Sequence, residues 1–181
     1  MAKVKSHHLD DNTRVSSYKV LSNIGRGWEG EVYKVAEVPT QALRAMKLFR
    51  TEALGTIRDL AHVAWYFEQV RSTGHFPIYH HCGQWFFDDD NGCWFLVFEF
   101  VDGVPLAKLS GSEELFVRLA NAISVVHQHG FGVGDLSSLE NVFERRQDRR
   151  IIFIDCEPGR PDHPNIDFRD DCVVELPDAA K

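Results

Sequence analysis

Residues 122–157 constrain this chain more than any other stretch, because they gather carboxylate and amide side chains around an apolar scaffold. An apolar segment with helical periodicity ends before a glycine-rich loop that presents Asp135, and Asn141 follows six residues later. A polar turn leads into the apolar run 151–154, which predicts a buried strand closed by Asp155. Such oxygen ligands suit Mg²⁺, and bound Mg²⁺ suits phosphoryl transfer. Because Asp and Asn are also ordinary loop residues, this stretch alone favours a metal site and a plain loop equally.

The chain length and composition predict a globular protein of one domain or two small lobes. Its 181 residues are enough to bury a core, and an apolar fraction of 44% with 12% aromatic residues is typical of folded chains. A net charge of −7 argues against a broad nucleic-acid-binding surface, although a local basic groove stays open. We therefore expect no nucleic-acid partner.

The sequence predicts neither a membrane span nor a secretory signal. No run reaches 18 apolar residues, and the N-terminus has no apolar signal core. We therefore expect a cytoplasmic protein without a membrane partner. A non-cleaved export signal of a specialised secretion system would escape this test, so an effector that acts in a host cytosol stays open.

The cysteine pattern agrees with a reducing compartment. The four cysteines contain no C-x-x-C pair and are scattered at Cys82, Cys93, Cys156 and Cys172, which favours free thiols. His80, His81 and Cys82 with Cys93 could bind zinc, but their spacing matches no standard finger. A β-hairpin whose residues face opposite sides explains these positions better.

Three glycines follow a predicted strand near the N-terminus. Residues 1–16 are polar and predict an extension, and residues 15–24 alternate loosely as a strand. Gly25, Gly27 and Gly30 then stand at G-x-G-x-x-G spacing. In a dinucleotide-binding fold the third glycine opens a helix, whereas here the chain continues as a strand, which argues against that fold. A glycine hairpin lets backbone N–H groups approach an anion closely, because no Cβ intervenes.

A lysine interrupts the next apolar strand, predicted over residues 42–49. A lone Lys in such a strand usually extends its ammonium to the surface. Lys47, however, lies fifteen residues after Val32, a spacing that fits adjacent antiparallel strands. This register predicts that the ammonium lies beneath the glycine hairpin.

One helix is predicted over residues 52–73, where apolar side chains recur at steps of three and four. Glu68 lies late in this helix and could face Lys47 and hold it. A solvated helix carboxylate explains Glu68 equally well, and Glu52 and Asp59 are the other candidates for the role.

The remaining elements follow the same patterns. Two strands at 78–87 and 94–100 are joined by an acidic Asn-Gly turn, which is a strong hairpin signal. A connecting strap leads to a helix over 113–129 whose apolar face carries Leu115, Leu119, Ile123 and Val126. Pro161 and Pro164 exclude a long helix near the end, where a short last helix is predicted within 171–176.

Taken in order, these parts resemble the protein-kinase fold over about residues 17–176. The resemblance implies an α+β, two-lobed fold with a five-stranded antiparallel N-lobe sheet, one main helix and a strongly truncated helical C-lobe. It divides the chain into an extension at 1–16, an N-lobe at 17–101 and a minimal C-lobe at 102–181.

The resemblance also implies roles for single residues. ATP would lie between the glycine loop and the hinge, on residues Ile24, Gly25, Gly27, Gly30, Val32, Ala45, Lys47, Phe98 as gatekeeper, Glu99 and Val101. Lys47, oriented by Glu68, would contact the phosphates, and Asp135 takes the position of the catalytic base. Asn141 and Asp155 align with the two ligands of Mg²⁺.

Several positions depart from the family pattern. Val133 and Gly134 replace the histidine and arginine of H-R-D. The resulting Gly-Asp-Leu resembles aminoglycoside-phosphotransferase-like kinases, and Asp-Leu-Ser, ending at Ser137, resembles RIO kinases. Asn141 comes one residue late, so either the loop bulges or Glu140 takes the metal position. D-F-G is replaced by Asp-Cys-Glu at 155–157, and no A-P-E is present.

The resemblance implies an ATP- and Mg²⁺-dependent phosphotransferase. The C-lobe is shortened as in minimal bacterial effector kinases, and the missing helices usually build a small-molecule acceptor pocket, so we expect a serine or threonine hydroxyl of a protein as acceptor. A pseudokinase or nucleotide-binding module and a small-molecule kinase are the alternatives. Because the apolar helix 113–129 has few partners in the sequence, a partner protein could complete the C-lobe.

Overall fold

The computed structural model describes residues 7–50, 57–87, 92–134, 136 and 139–154. The chain divides into two compact units, Met1–Trp65 with Ile78–Phe100 and Tyr66–Pro77 with Val101–Lys181. Predictions that fall elsewhere, including Glu52, the tip of the acidic hairpin, Asp135, Ser137, Asp155 and the last helix, lie outside the described residues. No helix in the described part is both long and apolar enough to cross a membrane.

The first unit contains an antiparallel sheet with six strands in its described residues, in the order β1-β2-β3-β4-β6-β5. The strands are β1 (Arg14–Val15), β2 (Tyr18–Arg26), β3 (Gly30–Glu37), β4 (Leu43–Phe49), β5 (Tyr79–Phe86) and β6 (Gly92–Glu99). The five predicted strands are therefore present, and β1 is a sixth strand that was not predicted.

The extra strand β1 lies at the end of residues 1–16, for which a polar extension is predicted. Val15 is fully buried and pairs with Tyr18, because the chain turns back through Ser16 at a φ of 54°. The N–H of Asn12 also donates to the Val20 carbonyl at 2.8 Å. A single apolar residue in a polar segment is too weak a signal for a strand, so pairing with β2 decides the structure here.

The first helix, α1 (Ile57–Val70), packs its early part against the sheet of the first unit. Leu60 and Val63 lie in one apolar cluster with Phe49 and Leu96. A 3₁₀ turn, Arg71–Thr73, continues the helix and ends at Gly74, whose φ of 71° is the left-handed conformation that terminates helices. The described part of the predicted helix 52–73 is therefore confirmed.

The second unit combines a helix with a small sheet. The helix α2 (Glu113–Gln128) begins where the Ser112 side chain accepts from the Leu115 N–H at 3.2 Å. Its buried residues are Leu115, Leu119, Ala122 and Val126, so Ala122 replaces the predicted Ile123 at the centre of the buried face. The sheet has the order β7-β8-β9, with β7 (Gly103–Pro105), β8 (Val142–Arg145) and β9 (Ile151–Phe153). Only β9 is predicted, because its residues form a continuous apolar run, whereas β7 contains glycine and proline and β8 ends in two charged residues.

Aromatic rings form the centre of the second unit. Tyr66 packs edge-on against Phe76 and Phe131, with 5.8 Å between ring centroids in each pair, and Phe76 packs on Phe153 at 5.6 Å. The Tyr66 hydroxyl donates to the Gly132 carbonyl at 2.6 Å. This bond and the Phe131 ring fix the start of the loop that leads to Asp135.

A short segment before β5 holds the last described strand in place. The Phe153 N–H donates to the His75 carbonyl at 2.8 Å. The His75 ring donates from Nδ1 to the Ile151 carbonyl, also at 2.8 Å. Burial lowers the pKa of His75 below its ordinary value, which outweighs the opposite effect of the bond to Ile151.

The burial of His75 predicts a pH dependence of stability. Since its folded-state pKa is lowered, the unfolded chain takes up the proton first as the pH falls below about 6.5, and the free energy of unfolding decreases. In His75→Gln this proton is absent, so the loss of stability between about pH 7.5 and about pH 5.5 should be smaller than in the wild type. Urea unfolding at both pH values measures this difference. The exposed His129 provides the control variant His129→Gln, and equal pH slopes for the wild type and His75→Gln would contradict the assignment.

Candidate functional site

The predicted glycine motif forms the hairpin between β2 and β3. Gly25 pairs with Val32 and Arg26 with Glu31. The N–H of Gly27 donates to the Gly30 carbonyl at 2.9 Å, which closes a tight turn over residues 27–30. We call residues 25–32 the glycine hairpin.

Gly30 is the glycine of this hairpin that the fold requires. A Cβ at this position would lie 2.0 Å from the backbone oxygen of Leu48, because β3 and β4 approach each other closely there. At Gly27, by contrast, a Cβ would meet nothing within 4 Å. Position 30 therefore has no room for a Cβ, whereas position 27 has room for one.

The predicted register between the glycine hairpin and the lysine strand is confirmed. Val32 pairs directly with Lys47 across β3 and β4. The ammonium of Lys47 donates to the carboxylate of Glu29 at 2.6 Å, and these side chains are 16% and 30% exposed. Glu29 lies in the closing turn, so the ammonium does lie at the glycine hairpin.

Glu29 is not among the partners predicted for Lys47 from the sequence. The carboxylate it proposes, Glu68, lies 3.6 Å from Arg71 and is about half exposed. Pairing between Lys47 and Glu68 stays a prediction. Among the other candidates, the side chain of Asp59 lies outside the described structure.

The predicted adenine-side residues lie on the neighbouring strands. Ala45 on β4 pairs with Phe98 on β6, and the Phe98 ring packs on Tyr79 at 6.1 Å between centroids. The N–H of Glu99 donates to the Ile78 carbonyl at 2.8 Å, so this N–H is already bonded. Val101 lies half-buried in the second unit.

A buried ion network holds the glycine hairpin and was not predicted. Glu31 is fully buried, and its carboxylate accepts from the Tyr33 hydroxyl and lies 3.8 Å from Arg50 and 3.6 Å from Arg26. Burial, followed by the bond to Glu31, raises the pKa of Tyr33, which keeps this hydroxyl protonated. Sequence patterns could not find the network, because a charged residue in a strand is more often solvated.

Arg50 connects this network to the turn itself. Its guanidinium Nη1 donates to the carbonyls of Gly27 and Trp28 at 2.5 Å and 2.8 Å, and its backbone N–H donates to the Glu29 carbonyl at 2.8 Å. The Arg50 side chain therefore neutralises buried Glu31 and binds two residues of the turn, and its backbone N–H binds the third.

In the second unit, the described residues on both sides of Asp135 are anchored. Val133 and Leu136 are buried, and Gly134 has a φ of 83°. This backbone conformation disfavours residues with a Cβ, which explains why glycine stands where the kinase motif has arginine. The conformation of Asp135 itself lies outside the described part of the chain.

The two predicted metal ligands lie next to paired strands in the sequence. Asn141 directly precedes β8, and Asp155 comes two residues after β9. Val142 pairs with Phe153, and the Ile154 N–H donates to the Asn141 carbonyl at 2.9 Å. Asp155 is therefore the next residue after the partner of Asn141, although its own position lies outside the described residues. A 3₁₀ turn, Leu139–Asn141, directly precedes β8. Glu140 is exposed and Asn141 is half-buried, and the choice between them as metal ligand stays a prediction.

The histidines and cysteines of β5 and β6 do not support the zinc alternative. Burial raises the pKa of the Cys93 thiol to about 12. Cys82 is exposed, whereas Cys93 is buried. Among the described residues no group of three His, Cys, Asp or Glu side chains could hold a metal.

Comparison with known proteins shows the fold. No protein-family model and no curated protein matches the chain. The solved apo form of PpkA-294 matches with a TM-score of 0.62 and 19% identity, over 83% of this chain and 62% of that chain. The Mycobacterium tuberculosis PknI kinase domain matches with a TM-score of 0.59 and 20% identity, over 82% of this chain and 61% of that one. The chain thus spans about three fifths of each of these structures.

The contrast between Gly30 and Gly27 can be tested directly. Gly30→Ala forces the Leu48 backbone away and should lower the free energy of unfolding by about 1–3 kcal/mol. Gly27→Ala meets open space and should change it by less than about 0.5 kcal/mol. Urea unfolding of both variants measures this, and equal effects at the two positions would contradict the described packing of β3 on β4.

Proposed function

Since the chain has a protein-kinase-like fold, we propose that it is an ATP- and Mg²⁺-dependent phosphotransferase of the atypical, minimal kinase type. It transfers the γ-phosphate of ATP to the hydroxyl of a serine or threonine in a protein. The bond between the Asn141 carbonyl and the Ile154 N–H carries the proposal, because it brings Asn141 beside the residue that precedes Asp155. Two oxygen ligands in such neighbouring positions suit Mg²⁺.

Most of the nucleotide-binding groups in this proposal lie in the first unit, whereas Glu68 and Val101 belong to the second. Lys47 contacts the α- and β-phosphates, and Glu68 orients it. The glycine hairpin covers the phosphates, with the side chains of Ile24 and Val32 against the base. Ala45 and Phe98 border the adenine, whose polar edge meets the backbone of Glu99 and Val101. A cationic side chain and fixed backbone dipoles stabilise the charge that develops during phosphoryl transfer.

The second unit supplies the reacting and metal-binding groups. Asp135 orients the acceptor hydroxyl and takes its proton, since a carboxylate within hydrogen-bond reach acts as a general base. Asn141 and Asp155 hold the metal. When bound, Mg²⁺ neutralises charge on the β- and γ-phosphate oxygens. Such catalysis is mostly positioning, so a chain without H-R-D or D-F-G can still perform it.

A protein acceptor rests on the resemblance of Asp135, Leu136 and Ser137 to the loop of RIO kinases. A small-molecule acceptor is the alternative that Gly134 favours, since Gly-Asp-Leu resembles aminoglycoside-phosphotransferase-like kinases. A partner protein that completes the second unit remains part of the proposal. A panel of peptides and aminoglycosides with labelled ATP separates the two acceptor classes.

A nucleotide-binding module without transfer activity is the second candidate function. The contact between Lys47 and Glu29 favours it, because a carboxylate holds the ammonium that a kinase directs at phosphate. Labelled ATP with and without Mg²⁺ distinguishes the candidates. Phosphate transfer identifies an enzyme, whereas a nucleotide-dependent thermal shift without transfer identifies a binding module.

Asp155→Ala tests the proposed metal ligand. We expect the Mg²⁺-dependent transfer rate to fall on the order of 10²-fold or more, because charge on the phosphates is no longer neutralised in place. Asp148→Ala removes a carboxylate from the turn before β9, where Asp148 pairs with Arg145 at 2.7 Å, and should retain most of the rate. Rates with γ-labelled ATP and far-ultraviolet circular dichroism of each variant are the measurements. An unchanged rate in folded Asp155→Ala would refute the role of Asp155.

A further inference from the structure

The tip of the glycine hairpin places a carboxylate, that of Glu29, against the Lys47 ammonium. The Glu29 carboxylate accepts from the Lys47 ammonium at 2.6 Å. Both side chains are mostly shielded from solvent, so the charges attract each other more strongly than an exposed pair would. In the proposed function, the same ammonium binds nucleotide phosphates.

The position of Glu29 is fixed by the backbone around it. Arg50 binds the carbonyls of Gly27, Trp28 and Glu29, and the turn is closed by the bond from Gly27 to Gly30. Arg50 is in turn held by the buried carboxylate of Glu31. Glu29 is thus presented to Lys47 from a tethered turn, and the contact requires little further ordering of the backbone.

We infer that Glu29 sets the affinity for nucleotide phosphates by competing with them for Lys47. The inference rests on the proposed function and adds to it a residue that sets the affinity of the same site. The Glu29 carboxylate occupies one of the three donors of this ammonium and neutralises its charge, so a phosphate binds Lys47 at full strength only when Glu29 moves away. The apparent affinity falls by the fraction of molecules in which Lys47 is held by Glu29.

This competition depends on the chemical class of the ligand. ATP and ADP bring phosphates to Lys47 and must displace Glu29. Adenosine has no phosphate, so it binds without disturbing the pair. Removing the negative charge at Glu29 should therefore strengthen ATP and ADP binding and leave adenosine binding unchanged. A general change in the fold would alter the affinity for all three.

The test compares Glu29→Gln with a matched variant from the same sheet. Glu37→Gln removes an equal charge from the far end of β3, where Glu37 lies 3.8 Å from Arg44. Calorimetric titration of both variants and the wild type with ATP, ADP and adenosine gives the dissociation constants. We expect Glu29→Gln to bind ATP about three- to fivefold more tightly. Glu37→Gln should match the wild type.

A second readout does not need a nucleotide. Amine acylation at limiting reagent, followed by peptide mass spectrometry, reports how readily Lys47 reacts. A neighbouring carboxylate stabilises the protonated amine, so Lys47 should be labelled faster in Glu29→Gln than in the wild type or Glu37→Gln. Equal labelling in all three proteins would overturn the inference.

The outcomes separate this inference from the proposed function. If the wild type binds ATP and Glu29→Gln binds it no more tightly, the inference fails and the function stands. An equal gain for adenosine assigns the effect to altered folding and also overturns the inference. If neither the wild type nor Glu29→Gln binds any nucleotide, the proposed function fails and the inference fails with it.

Discussion

The fully buried carboxylate of Glu31 is the constraint on which the glycine hairpin depends. A buried charge is tolerated only when it is paired and hydrogen-bonded, and Tyr33 and Arg50 meet that requirement. Because Arg50 is held at Glu31, its Nη1 lies at a fixed position, where it donates to the carbonyls of Gly27 and Trp28. The geometry of the turn therefore follows from how one buried charge is neutralised.

In the second unit, backbone hydrogen bonds hold the described residues around the candidate site in place. The antiparallel strand β8 begins beside the end of β9, so the Asn141 carbonyl accepts from the Ile154 N–H. The segment at His75 bonds to β9 from its other side, and the aromatic cluster around Tyr66 fixes the loop at Gly132. Each unit thus holds the described residues of its candidate site through contacts of its own.

The sequence predicted the elements whose signals are local. The spacing between Val32 and Lys47 gave the correct register, because a short hairpin leaves few alternatives, and helix periodicity located α2. It could not predict β1, β7 or β8, because none of these short strands is a continuous or alternating apolar run. Nor could it reveal Glu29 or Arg50 at the hairpin, because ion pairs between distant residues follow from the fold. The roles of Asp135, Asn141 and Asp155 remain predictions.

A crystal structure with a non-hydrolysable ATP analogue and Mn²⁺ tests the central claim most directly, because the anomalous signal of Mn²⁺ locates the metal. The account predicts one nucleotide whose phosphates contact Lys47 beneath the glycine hairpin. It also predicts a metal peak at the oxygens of Asn141 and Asp155. A metal bound elsewhere, or Lys47 and Asp155 too far apart to contact the same triphosphate, would contradict it.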